Sequence, residues 1–201
     1  GKTIAYLVSA LPVARARGKK LVLASATVAL QEQLLFRDLP DVMRHSGLNF
    51  DVALAKGRGR YVCLLKLDHQ LSDQGADPLI PLYPDEFLGA EEELAGPILE
   101  EMIQTLGDGS WDGDLDAWPE QLSPSVRRLI TTDQSQCTGR RCPHIAQCSF
   151  FRAREGLEEA DVIVTNHDLV LSDLRLGGGV ILPAPEDSLY VFDEGHQLPA
   201  K

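Results

Sequence analysis

The chain has 201 residues, 44% hydrophobic and 24% charged, a globular composition long enough to bury a sizeable core. It has no run of 18 apolar residues for a transmembrane helix and no basic-then-apolar secretory leader, and, starting at Gly1, it reads as a fragment of something longer. The net charge of −11 hides an asymmetry: fifteen acids and no Lys or Arg lie between Leu67 and Val126, leaving fifteen acids against nineteen bases elsewhere. An acidic, solvated block is set in a mildly basic body, so charge does not exclude nucleic acid as a partner.

In chain order, Ile4, Leu7, Val8 and Leu11 follow helical spacing, with Pro12 near the middle or end of that helix. The apolar run Lys19–Ser25 reads as a buried strand, and the following segment through Leu39 as a helix capped by Thr27. Phe50–Gly57 alternates and ends in glycines, which predicts a second strand. From Leu67 to Ser125 prolines recur, and only Asp85–Leu106 reads as helical, with an interruption at Gly96-Pro97. That block is expected to be an insertion. Beyond it, residues 149–160 predict a helix, Asp161–Asn166 a strand, 167–174 a helix and Leu189–His196 a last strand. The order β-α-β, insertion, α-β-α-β predicts an α/β fold: a parallel sheet flanked by helices.

Two pieces suit phosphate chemistry. Gly1-Lys2-Thr3 is the end of the pattern G-x-x-x-x-G-K-[ST], in which backbone N–H groups cradle phosphates, Lys2 reaches the β and γ phosphates and the Thr3 hydroxyl binds Mg²⁺. Asp193-Glu194-Gly195-His196 follows an apolar strand, where one acid can hold Mg²⁺ and its neighbour can polarise the attacking water. A tripeptide or a surface acidic pair means little alone. The two together, on the expected elements, favour an ATPase.

Three of the four cysteines, Cys137, Cys142 and Cys148, fall within twelve residues, while Cys63 precedes them by seventy-three intervening residues. Zinc sites usually take cysteines in close pairs on both sides. One distant and three close thiolates favour an iron–sulfur cluster over zinc, and either over free thiols or disulfides. Around them Lys56, Arg58, Arg60 and Tyr61 interleave basic and aromatic groups, a pattern suited to phosphate contact and base stacking on a single strand. The alternative is that Tyr61, Phe150 and Phe151 pack around the cluster and shield it.

The order of "GKT", "TVALQEQL", "KGRGRYVC", C-x4-C-x5-C, "VIVTNHDLVLSDL" and "DEGH" resembles the DinG family, iron–sulfur helicases similar to the XPD-like enzymes. The resemblance covers essentially the whole chain. It implies a RecA-like P-loop NTPase motor domain with an inserted, mostly helical iron–sulfur domain: 1–60 and 153–201 form the first motor domain and 61–152 the insertion. It further implies that Cys63, Cys137, Cys142 and Cys148 bind a [4Fe–4S] cluster, and that Gly1, Lys2 and Thr3 bind ATP. Asp193 and Glu194 would serve Mg²⁺ and water, His196 would link nucleotide to DNA-bound movement, and Thr27 and Gln33 would lie beside single-stranded DNA. "DEGH" replaces the commoner "DEAH". The implied activity is an ATP-dependent, 5′-to-3′ DNA helicase of repair or replication-associated processing. It would be cytoplasmic, act on forked or RNA-containing DNA structures without a membrane, and have single-strand-binding or repair proteins as partners. The isolated segment is expected to hydrolyse ATP poorly or not at all. The alternatives are an ATP- or redox-switched nucleic-acid-binding module without unwinding, or a zinc-stabilised ATPase domain.

Overall fold

The structure, a computed structural model of the chain, describes residues 2–73 and 89–200. The chain divides into two compact units, one formed by Gly1–Lys56 with Ala153–Lys201 and the other by Gly57–Arg152.

The first unit is built on four parallel strands, β1 (Lys20–Ser25), β2 (Val52–Leu54), β3 (Val162–Asn166) and β4 (Ser188–Phe192), in the order β2-β3-β1-β4. Because side chains alternate along a strand, Leu21 and Leu23 face one side and Val22 and Ala24 the other. Both faces are covered, which is why these strands are apolar runs without polar alternation. On one face Leu7, Leu11 and Ala14 of α1 (Lys2–Ala16) pack with Leu21, Leu23, Val162 and Val164. On the other, Val22, Ala24 and Ile163 meet Leu169 and Val170 of α8 (His167–Arg175) and Leu157 of α7 (Ser149–Glu159).

Pro12 lies inside α1 on its exposed side. The helix continues through it because Leu11 and Ala14, on either side, are both anchored in the core. Thr27 caps α2 (Val28–Gln33), its hydroxyl accepting the Leu30 N–H at 3.3 Å. A π-helical turn over Leu34–Asp38 then leads into α3 (Leu39–Ser46). The extra residue of that turn has a packing reason: Leu34 and Leu39, five apart, are both buried, where an uninterrupted α-helix would bring Asp38 to the core instead. Gly47, at φ 69°, supplies the left-handed residue that stops α3.

The second unit has no sheet among its described residues. Its core gathers Leu67 of α4 (Leu64–Asp73), Ala95, Leu99 and Met102 of α5 (Gly89–Asp108), Val126 and Ile130 of α6 (Pro124–Ile130), and two tryptophans. The Trp111 and Trp118 rings lie 4.6 Å apart, centroid to centroid. The interruption expected at Gly96-Pro97 does not occur. α5 runs through it, because Ala95 and Leu99 lie one turn apart on the same buried face and Pro97 points outward. Residues 85–88 of the expected helix lie outside the described residues. Gly113, at φ 88°, lets the backbone pass directly against Ser149 and Val62; a Cβ there would overlap the Ser149 hydroxyl.

Candidate functional site

In the first unit, β1, β3 and β4 all end at one edge of the sheet, and the DEGH segment leaves from it. The expected strand Leu189–His196 stops at Phe192. Asp193 still donates its N–H to the Ala24 carbonyl at 2.9 Å, but Glu194 turns to φ 53°, which no strand residue adopts, and Gly195–Ala200 winds into a 3₁₀ helix. The Asp193 carboxylate accepts the Glu194 N–H at 3.1 Å, and His196 Nδ1 lies 3.4 Å from the Glu194 carboxylate, with the imidazole largely in solvent.

Lys2 and Thr3 open α1, and Gly1 lies outside the described residues. One turn on, Tyr6 was given no role from sequence. Burial pushes its hydroxyl up to about 12, with the Thr3 hydroxyl pulling down and the Asp193 and Asp38 carboxylates pushing further up. The Tyr6 hydroxyl is buried without a hydrogen-bond partner among the described residues, and Thr3 and Asp193 are among the groups that shift it. The donor set there, carboxylates and a hydroxyl, is the oxygen chemistry that a hard cation such as Mg²⁺ takes. Thr27 spends its hydroxyl on capping α2, and the Gln33 amide meets the Asp38 carboxylate at 3.3 Å.

Asn166 and His167 were likewise without roles from their residue types. Asn166 caps α8, its side-chain oxygen accepting the Leu169 N–H at 2.8 Å. His167 is fully buried, with Nε2 at 2.9 Å from the Asp193 carbonyl and 3.2 Å from that of Ala24. The local signals that mark them are the polar pair at the end of β3 and the motif "VIVTNHDLVLSDL" around it.

In the second unit, the four cysteines are free thiols, all half-buried, and all four line one small cavity with Arg58, Ile145 and Phe150. Each is set by its backbone. The Cys63 N–H bonds to the Ile130 carbonyl at 2.7 Å, and its own carbonyl starts α4. Cys137 closes a turn in which the Asp133 carboxylate accepts the Ser135 and Gln136 N–H groups at 2.8 and 3.0 Å. Cys142 and Cys148 each end a 3₁₀ turn, Gly139–Arg141 and Ile145–Gln147, and Cys148 leads into α7. Burial pushes the Cys148 thiol up, against the N–H groups of Phe151 and Phe150 that pull it down; Cys137 and Cys63 add to the upward push.

Among the described residues no three Cys, His, Asp or Glu side chains are drawn together as ligands of a single ion. Four thiols around a shared cavity, with N–H donors aimed at the Cys137 sulfur, nevertheless have the donor chemistry of an iron–sulfur site. Cys137 Sγ accepts from Arg58 Nη1 at 2.8 Å and from the Gly139 N–H at 3.4 Å.

The basic and aromatic candidates near these cysteines divide. The Arg58 guanidinium lies 4.3 Å above the Phe150 ring and 5.6 Å from that of Phe151, so it is turned toward the thiols. Tyr61 is buried edge-on against Phe150 at 6.0 Å, and burial with the neighbouring Asp114, Asp112 and Asp116 raises its hydroxyl. Arg60 forks onto Asp116, Nε at 2.9 and 3.0 Å from its two oxygens. Lys56 follows β2 in the first unit and is half-buried.

Over 199 residues, 99% of the chain, the sequence is 42% identical to the ATP-dependent DNA helicase DinG of Photobacterium profundum, 34% to that of Salmonella typhimurium and 33% to that of Escherichia coli K12. Nearly the whole chain is thus similar to a segment of enzymes named as DinG helicases. It spans 28%, 28% and 27% of the length of these DinG relatives. No protein-family model matches it. Among the described residues, no helix is long and apolar enough to cross a membrane.

Proposed function

We propose that the chain is the nucleotide-binding motor segment of an ATP-dependent DNA helicase and carries an iron–sulfur insertion. The observation that carries this reading is the DEGH segment at the strand-end edge of a parallel sheet, where open α/β folds bind ligands, in a chain similar throughout to enzymes named as DNA helicases. Gly1, Lys2 and Thr3 bind the phosphates of ATP. Thr3 and Asp193 hold Mg²⁺, which supplies charge neutralisation on the phosphates. Glu194 orients the attacking water and accepts its proton as the bond to the γ-phosphorus forms and ADP leaves. His196, exposed beside Glu194, passes the nucleotide state on to DNA-bound movement.

Thr27, Gln33 and Lys56 follow β1 and β2 and line the path of single-stranded DNA. Arg58 and Tyr61 support the cysteine site, and Arg60 fixes the adjacent loop through Asp116. In the domain reading, 1–60 and 153–201 form the RecA-like motor and 61–152 the insertion. Cys63, Cys137, Cys142 and Cys148 hold a [4Fe–4S] cluster, which supplies a covalent tie across the insertion and a one-electron centre. Burial supports this: none of the described residues from Thr131 to Cys148 is buried, so hydrophobic packing does not account for the fold of that loop. The enzyme works in the cytoplasm, moving 5′ to 3′ on forked or RNA-containing DNA in repair, with single-strand-binding proteins as partners.

The test is ATP hydrolysis by the full-length protein with and without single-stranded DNA, paired with displacement of a labelled strand from a fork. DNA-stimulated hydrolysis with displacement is expected. Binding without displacement would favour a nucleic-acid-binding module instead.

A further inference from the structure

His167 is the one fully buried histidine among the described residues, and the reaction above makes no use of it. It opens α8 directly after β3, with its ring 5.7 Å from that of Phe192, the last residue of β4. Both groups facing Nε2, the carbonyls of Asp193 and Ala24, are acceptors, so Nε2 carries the proton. Nδ1 is buried without a hydrogen-bond partner among the described residues. A leucine would fill this position without leaving a buried nitrogen unsatisfied, so packing alone does not explain an imidazole.

At the shorter of its two contacts the ring holds the Asp193–Glu194 peptide group. The carbonyl of Asp193 and the N–H of Glu194 belong to the same peptide plane. His167 donates to the first at 2.9 Å, and the second donates to the Asp193 carboxylate at 3.1 Å. Fixing that plane fixes the direction of the Asp193 carboxylate. It also bears on Glu194, the only non-glycine residue with positive φ among the described residues. A backbone in that region persists where its surroundings over-determine it. Here the Asp193 main chain is held at both ends, its N–H by the Ala24 carbonyl at 2.9 Å and its carbonyl by His167.

We propose that His167 is a positioning residue for ATP hydrolysis: through the Asp193–Glu194 peptide it sets the orientation of the two acids at the end of β4. The inference rests on the ATPase reading of those acids. It assigns to the third residue of "TNH" a task that couples the ends of β1, β3 and β4.

The test compares wild type, His167→Leu and His167→Gln in the full-length protein. Glutamine keeps an N–H donor that leucine lacks. DNA-stimulated kcat should fall about tenfold or more in the leucine variant with KM for ATP nearly unchanged, and glutamine should recover part of the loss. Independently of turnover, ¹⁵N NMR of histidine-labelled 201-residue chain should find the His167 proton on Nε2. Leucine with wild-type kcat, or the proton on Nδ1, would overturn the inference while leaving the helicase reading intact. Equal losses in both variants accompanied by a collapsed thermal transition would also overturn it, since the ring would then serve stability alone. Absence of DNA-stimulated hydrolysis in wild type would remove the reading on which it rests.

Discussion

The two units bury their apolar residues by different means. In the first, β1 and β3 are shielded on both faces, and every strand finds its partner through backbone hydrogen bonds that any apolar run can make. In the second, α4, α5 and α6 and two tryptophans form a core, but the stretch Thr131–Cys148 adds no buried side chain to it. A segment that buries nothing must be held by turn hydrogen bonds, charge and cross-links. The functional chemistry differs in the same way. The acids at the sheet edge are aimed by main-chain geometry, whereas the cysteines converge because three turns and the start of α4 face one cavity.

The largest break in this contrast should come from the cross-link. Cys63→Ser, or removal of iron from the anaerobic protein, should expose residues 131–148 to protease while the sheet unit stays resistant. Mass spectrometry of a limited digest reads this. Digestion spread evenly over both units would contradict it.

Next come two glycines that share a left-handed backbone and differ in surroundings. At Gly113 an added Cβ meets the Ser149 side chain and Val62, so Gly113→Ala should cost about 2–4 kcal/mol from overpacking and backbone strain together. At Gly18, φ 63°, a Cβ meets nothing within 4 Å, so Gly18→Ala should cost only about 1 kcal/mol of strain. Denaturant midpoints of the two variants separate the cases.

Much of the first unit was legible because its signals are local. The apolar stretches 21–24 and 162–164 lie in what became the two central strands, and Thr27 stands where a cap is needed. What escaped depended on distant partners. Nothing near Gly96-Pro97 announces that Ala95 and Leu99 will face the same core, which is what carries α5 through. The π turn at Leu34 answers to the position of Leu39 against the sheet, and the end of β4 at Phe192 answers to Glu194 turning left-handed. At the candidate site the cysteines stand out by spacing. The direction of Arg58, which binds Cys137 from seventy-nine positions away, does not. His167 and Tyr6 are silent in sequence because their meaning lies in which carbonyls and carboxylates the fold brings to them.

Arg58 offers a sharper, smaller perturbation. Arg58→Met keeps the bulk over Phe150 and removes the donor to Cys137, so the protein should stay folded but lose iron faster under oxygen and show an altered visible spectrum. Unchanged spectrum and iron retention would confine Arg58 to packing.

The smallest expected effect is alkaline. A tyrosine with the ordinary value of 10.0 when unfolded and about 12 at Tyr6 is neutral in both states below pH 10. Between those values only the unfolded chain ionises, so stability falls as pH rises through that window. Tyr6→Phe should flatten part of that fall in a pH series of thermal transitions, and an unaltered slope would place the effect elsewhere.

The most direct measurement of the central claim is iron, zinc and acid-labile sulfide content of the anaerobically purified chain, with a visible spectrum. About four irons and four sulfides with broad absorption near 400 nm are expected, lost together in Cys63→Ser. One zinc without sulfide, or no metal with four free thiols, would contradict the assignment of Cys63, Cys137, Cys142 and Cys148 to a single iron–sulfur site.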